Sequence, residues 1–120
     1  MSNSKTHNTG QILNVYLPTR DPLGREQEGS RPCVLIADPS EIQSLRFPLL
    51  IIAPMTTRPF ADLPLYPRLE RGAGGLPMDS TVLLDQLLAV DTSRVWGYIG
   101  TLSEREFTSI KEGLSLMFPI

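Results

Sequence analysis

The stretch from Pro32 to Ala53 reads PCVLIADPSEIQSLRFPLLIIA. It holds two short apolar runs, Pro32 to Ala37 and Leu49 to Ala53, rich in Val, Ile and Leu. Each is bounded by proline and charge, which predicts a pair of central β-strands. Proline usage sets the same limit on a larger scale. The chain has 11 prolines, and all but Pro119 lie between Pro18 and Pro77, so no long helix can run through the first two-thirds. A helical bundle is excluded.

Upstream, Leu13, Val15 and Leu17 alternate with Asn14 and Tyr16, the period of a half-buried strand starting after Gly10. Residues 1–9 are polar without periodicity and are expected to form a disordered tail, leaving 10–120 as one domain. Pro18 to Ser30 is a polar loop dense in turn residues. Downstream, Leu63 to Leu69 alternates weakly around two prolines and predicts an edge strand. Arg71 to Pro77 (RGAGGLP) reads as a flexible glycine-rich loop. Ser80 to Leu84 and Leu87 to Asp91 predict two further strands or one bent one, and Arg94 to Gly100 another.

The last element is helical. Ser103 and Glu106 have capping-box spacing, and Leu102 and Phe107 flank them as a hydrophobic staple. Phe107, Ile110, Leu114 and Met117 then form one apolar face. Gly113 should weaken this helix by about 1 kcal/mol relative to Ala. The architecture expected is mainly β, a small and strongly bent sheet or barrel closed by a C-terminal helix.

At 120 residues and 13.3 kDa the chain is the size of a single domain. With 41% hydrophobic and 20% charged residues it has the composition of a globular core, not of a disordered chain. The longest apolar stretch, Pro48 to Met55, is far short of the roughly 20 residues of a spanning helix. The first residues lack the apolar core of a signal peptide, so a cytoplasmic location away from membranes is expected. The single Cys33 has no internal partner and is expected to be a small buried hydrophobe. The net charge of -2 points away from nucleic acid. Its distribution is less plain: arginine outnumbers lysine nine to two, and arginine is the side chain suited to gripping a phosphate with two hydrogen bonds.

The chemistry available is narrow. The one histidine, His7, lies in the N-terminal tail, so neither a metal cluster nor a Ser-His-Asp or Cys-His arrangement assembles from this sequence. No cofactor fingerprint is present. What remains is Arg, Thr, Ser, Glu and Gln. In the loop Gly24-Arg25-Glu26-Gln27-Glu28-Gly29-Ser30-Arg31-Pro32, Arg31 stands where the chain enters a strand. It reads either as an anion-binding group held by a rigid element or as a cap on a strand edge. Thr56, at the end of the other apolar run, reads either as a turn hydroxyl or as a catalytic group.

Four blocks carry a resemblance. Gly24-x-Glu26-Gln27-x-Gly29-x-Arg31-Pro32 is similar to the opening signature of the MazF/PemK (Kid) toxins of bacterial toxin–antitoxin systems. Ile51 to Thr57, Asp79 to Gln86 and Asp91 to Leu102 resemble later blocks of that family in order and spacing. The resemblance implies a small SH3-like barrel with a C-terminal helix, a homodimer, and a cognate antitoxin as partner. It also implies a sequence-specific endoribonuclease that cleaves single-stranded RNA without a metal or other cofactor, leaving 2′,3′-cyclic phosphate and 5′-hydroxyl ends. By position, Arg31 and Thr56 match the family's catalytic pair and Glu26 a glutamate that is functional in some members. Arg25, Gln27, Thr57, Arg58 and Gln86 are the implied RNA contacts. Gln86 reads equally as a cross-strand hydrogen-bonding residue, and Phe60, Tyr66 and Trp96 read either as rings that stack on RNA bases or, the favoured reading, as core aromatics. Two competing functions attach to the same fold. One is a gyrase poison like the related CcdB toxins, whose terminal Trp-Gly-Ile is replaced here by Phe118-Pro119-Ile120. The other is a barrel that binds without catalysing.

Overall fold

Gly10 opens the first strand at φ +92, with its amide donating to the Leu35 carbonyl and its carbonyl accepting from the Leu102 amide, both at 2.9 Å. This glycine ties both neighbouring strands to the start of the fold. The protein is seen here as a computed structural model that describes residues 8–18 and 29–120. Its strands are β1 (Gln11–Tyr16), β2 (Ser30–Ala37), β3 (Leu49–Thr56), β4 (Arg68–Leu69), β5 (Ser80–Val82), β6 (Leu88–Asp91) and β7 (Val95–Thr101), followed by the helix α1 (Glu104–Met117). The strands run in the order β4-β5-β3-β2-β1-β7, with β6 also on β3. All pairs are antiparallel, and the sheet curls into a half-barrel.

Side-chain alternation sorts the central strands into two cores. Ile12, Val34, Ala53 and Met55 join Ile110 of α1 on one face, while Leu13, Val15, Cys33, Leu35, Ile52 and Val90 pack together on the other. The expectation of a half-buried first strand is therefore corrected at Ile12, which is fully buried. The cause is the glycine-rich segment. A Cβ placed on Gly74 would lie 2.7 Å from Ile12 Cδ1, so this loop sits directly over the strand.

That segment is a set of hydrogen-bonded turns. Gly72 donates to the Leu76 carbonyl at 2.8 Å, Leu76 donates to the Ala73 carbonyl at 2.9 Å, and Ala73 and Leu76 are buried. Gly100 of β7 has no room for a side chain because the Gly74 carbonyl lies against its Cα.

The expected edge strand from Leu63 shrinks to β4, Arg68 and Leu69 paired with Thr81 and Ser80. Pro64 and Pro67 lack ladder donors, and the chain before β4 turns instead, Tyr66 donating to the Leu63 carbonyl at 2.9 Å. The open question of one strand or two is answered by β5 and β6. Both lie on the same edge of β3, interrupted by a short helical turn, Leu84–Gln86.

Pro54 lies opposite that interruption. Its carbonyl accepts from the Leu83 amide at 2.9 Å, so its amide side also faces the β5–β6 edge, at the gap. The missing N–H costs no ladder bond there.

α1 begins as predicted. The Ser103 hydroxyl accepts from the Glu106 amide at 3.0 Å, and the Glu106 carboxylate accepts from the Ser103 amide at 2.9 Å. Leu102, Phe107, Ile110, Leu114 and Met117 all enter the first core. Among the described residues no helix is long and apolar enough to cross a membrane.

Candidate active site

A row of residues crosses the sheet at one end of the strands. Val95 of β7 pairs with Val15 of β1, and Val15 pairs with Arg31 of β2. Between β2 and β3 the partners are Leu35 with Ile52, Val34 with Ala53, and Cys33 with Pro54. Carried two residues further along both strands, the same register sets Arg31 opposite Thr56. Both are half-buried and share the face of Cys33 and Leu35, at the open end of the second core.

Thr56 closes β3, and its Oγ1 accepts a hydrogen bond from the Arg58 amide at 3.1 Å. It is thus a turn hydroxyl, and it keeps a proton to donate, because a hydroxyl both accepts and donates. Thr57 and Arg58 follow, both exposed. Gln86 ends the turn that interrupts β5 and β6, and it too is exposed. The Leu83 amide's bond to the Pro54 carbonyl holds that turn against β3, two residues before Thr56. Arg31, Thr56, Thr57 and Arg58 therefore gather at one end of β2 and β3, with Gln86 on the flank. Arg25, Glu26 and Gln27 lie outside the described residues.

Cys33 is buried beneath this row. Burial pushes its thiol up to about 12, against a smaller opposing pull from the Arg31 charge. A thiol that holds its proton so firmly is no nucleophile, which agrees with its reading as a small hydrophobe. Its Sγ lies 3.5 Å from the Arg31 carbonyl oxygen. Among the described residues no three His, Cys, Asp or Glu side chains come together as a metal-binding group.

The aromatic residues require correction. Trp96 and Phe60 are exposed, not core. Tyr66 is half-buried, edge-on to Phe60 at 4.8 Å, and its hydroxyl donates to Asp85 at 2.6 Å, a bond that raises its pKa. Trp96 is exposed because β7 bulges against β1. Val95 pairs with Val15 and Gly97 with Asn14, leaving Trp96 as the extra residue without a partner. Sequence reading placed Arg94 in the Asp91 to Leu102 block without a site role; its guanidinium donates to the Tyr16 carbonyl at 3.1 Å. Asp91 holds the turn that carries it by accepting from the Ser93 amide at 2.8 Å, and this bond lowers the Asp91 pKa. The alternation of β1 did place Tyr16 with Asn14 on the polar side, but nothing local marks a bulge in RVWGYIG.

An arginine and a threonine at the same end of neighbouring strands are residue types suited to a phosphate, and to extra negative charge on its oxygens. Residues 8–118 match the family model of PemK-like, MazF-like toxins of type II toxin–antitoxin systems. The endoribonuclease MazF of Staphylococcus saprophyticus is 29% identical over 105 residues, 86% of either chain. The endoribonuclease EndoA of Bacillus subtilis is also 29% identical over 105 residues, covering 86% of this chain and 89% of its own. In fold, the chain resembles MazF from Deinococcus radiodurans, with a TM-score of 0.72 at 19% identity over 95% of this chain and 97% of that one. It also resembles a mycobacterial endoribonuclease solved in complex with its cognate antitoxin, with a TM-score of 0.70 at 14% identity over 96% and 97% of the two chains.

Proposed function

Since the chain belongs to the PemK-like, MazF-like toxins of type II toxin–antitoxin systems, we propose that it cuts single-stranded RNA at a short recognition sequence, without a metal, and is silenced by a cognate antitoxin. It is an endoribonuclease of the MazF kind. The observation that supports the mechanism is the β2–β3 register, which, continued two residues past Cys33 and Pro54, brings Arg31 and Thr56 to the same end of neighbouring strands.

In this mechanism the 2′-hydroxyl oxygen attacks the adjacent phosphorus and the bond to the 5′-oxygen breaks. The products are a 2′,3′-cyclic phosphate and a 5′-hydroxyl. Arg31 grips two phosphate oxygens and offsets the charge gained in the transition state. Thr56 donates its hydroxyl to a non-bridging oxygen. Arginine holds its proton above pH 12 and so is a poor base. Glu26 takes the 2′-hydroxyl proton, and the departing 5′-oxygen takes a proton from solvent water. Arg25, Gln27, Thr57, Arg58 and Gln86 hold the strand on either side.

The active form is a homodimer in the cytoplasm. The groove lined by Leu63, Pro64, Leu65, Tyr66, Leu116 and Met117, with Phe118 exposed near its helix end, supports an apolar contact of that kind. The antitoxin covers the arginine-bearing face with an acidic segment that orders on binding.

The test is incubation of the purified protein with a long single-stranded RNA in EDTA, followed by mapping of the ends. Cuts at a recurring short sequence with 2′,3′-cyclic phosphate and 5′-hydroxyl termini are expected, and they should be absent with Arg31→Ala. Intact RNA in the presence of folded, antitoxin-free dimer would overturn the reading.

A further inference from the structure

The exposed aromatic pair on β1 and β7 has no part in the chemistry above. Tyr16 is 49% exposed and Trp96 53%, and their ring centroids are 6.0 Å apart with planes tilted by 34°. Large aromatic surface left in water is unfavourable unless something covers it. Three observations say what does.

First, the pair is at the same end of the sheet as the candidate active site. Tyr16 follows Val15, the residue paired with Arg31, and itself pairs with Ser30, the residue before Arg31. Side chains alternate along β1, so Tyr16 is on the sheet face opposite to Val15 and Arg31, and the two sites share an end of the sheet but not a face. Second, the Arg94 guanidinium is fixed beside Tyr16 by its bond to the Tyr16 carbonyl. A cation held close to exposed aromatic residues is the pattern of single-strand binding, where bases stack on rings and the cation attends the backbone. Third, the pair is held by rigid elements. Tyr16 is in the β1 ladder, Trp96 is fixed by the bulge, and Arg94 ends the turn capped by Asp91.

We propose that Tyr16 and Trp96, with Arg94 beside them, form a stacking platform for a nucleobase of the single-stranded RNA where the strand passes around the end of the sheet that carries Arg31. The assignment rests on the nuclease reading above. It makes these residues substrate-binding groups that favour particular bases near the cut.

Trp96 is the chain's one tryptophan, so its intrinsic fluorescence reports on the platform directly. The probe is a set of short, mixed-sequence 2′-O-methyl RNA oligonucleotides, which cannot be cleaved because the attacking hydroxyl is blocked. An end label reports binding by anisotropy, independently of the tryptophan. Bound oligonucleotides are expected to quench Trp96, and Tyr16→Ala is expected to weaken binding about 10- to 100-fold. On cleavable RNA the same variant should raise KM far more than it lowers kcat, and blur the base preference near the cut.

Anisotropy showing bound RNA with unchanged Trp96 emission would overturn the platform and leave the nuclease reading standing. Trp96 emission that is shielded in the free protein and released on dilution would assign the pair to an interface between copies, and would also overturn it. RNA neither bound nor cut by the folded protein would remove both readings together.

Discussion

The Thr56 hydroxyl oxygen accepts a hydrogen bond from the Arg58 amide across 3.1 Å, which fixes the side chain at the end of β3. The bond occupies one lone pair and leaves the hydroxyl proton for a substrate oxygen. Thr56→Val keeps the shape and removes the donor. Cleavage by that variant is expected to fall about 100- to 1,000-fold, the range for loss of one donor to a developing oxyanion. Thr56→Ser should retain most activity. Single-turnover cleavage of an RNA carrying one mapped site measures both, and a Thr56→Val enzyme of normal rate would remove Thr56 from the mechanism.

Arg31 has a different signature. Arg31→Ala should abolish cleavage while the fold survives, since the residue is at the start of β2 and only half-buried. Arg31→Lys keeps the charge but loses the two-pronged grip, and should cost about 10- to 100-fold, the worth of one charge-assisted bond. Circular dichroism beside the cleavage assay separates loss of chemistry from loss of structure. A folded, active Arg31→Ala protein would refute the assignment.

Gly113 lies where α1 crosses other parts of the chain. A Cβ there would stand 2.7 Å from the Pro64 carbonyl oxygen and 2.5 Å from Leu84 Cδ1. Leucine can rotate away, but the proline backbone cannot. Helix propensity alone predicts that Gly113→Ala gains about 1 kcal/mol. The close approach predicts instead a net loss of about 1–3 kcal/mol, the usual cost of overpacking. Urea unfolding settles the sign, with exposed Ser115→Ala on the same helix as the control.

Cys33 makes stability fall in alkali. In the unfolded chain its thiol ionises near 9.0, whereas in the fold burial holds the proton up to about 12. Between those values the unfolded state carries fewer protons, so unfolding becomes easier as pH rises; below about pH 9 the group contributes no slope. Urea midpoints from pH 8 to 11 are expected to decline less steeply in Cys33→Ala than in the parent. Parallel slopes would show that the thiol is not held neutral. Iodoacetamide at pH 8 should label Cys33 only after unfolding.

Much of this was legible because the signals were local. The capping box at Ser103 and Glu106, the apolar runs of β2 and β3 and the alternation of β1 each lie within one element. The glycine-rich segment was not legible. Its turns are locked against β7 by the contact of Gly74 with Gly100, and no neighbouring residue announces a contact over that span. Trp96 failed for a related reason. An extra residue in one strand shifts every face that follows, and only the partner strand reveals it. Within the candidate site, the register of β2 and β3 adds what the sequence lacked, a physical reason for Arg31 and Thr56 to belong together.

Pro54 gives that register its security. A strand that slides by one residue keeps its hydrogen bonds but turns its side chains over, and β3 has three neighbours against which to slide. Slippage against β5 or β6 would move the proline out of the gap and under a paired residue whose carbonyl then finds no donor. Pro54 therefore works as a notch: a single absent hydrogen makes the wrong alignments costly. Thr56, two residues beyond the notch, is kept in place opposite Arg31.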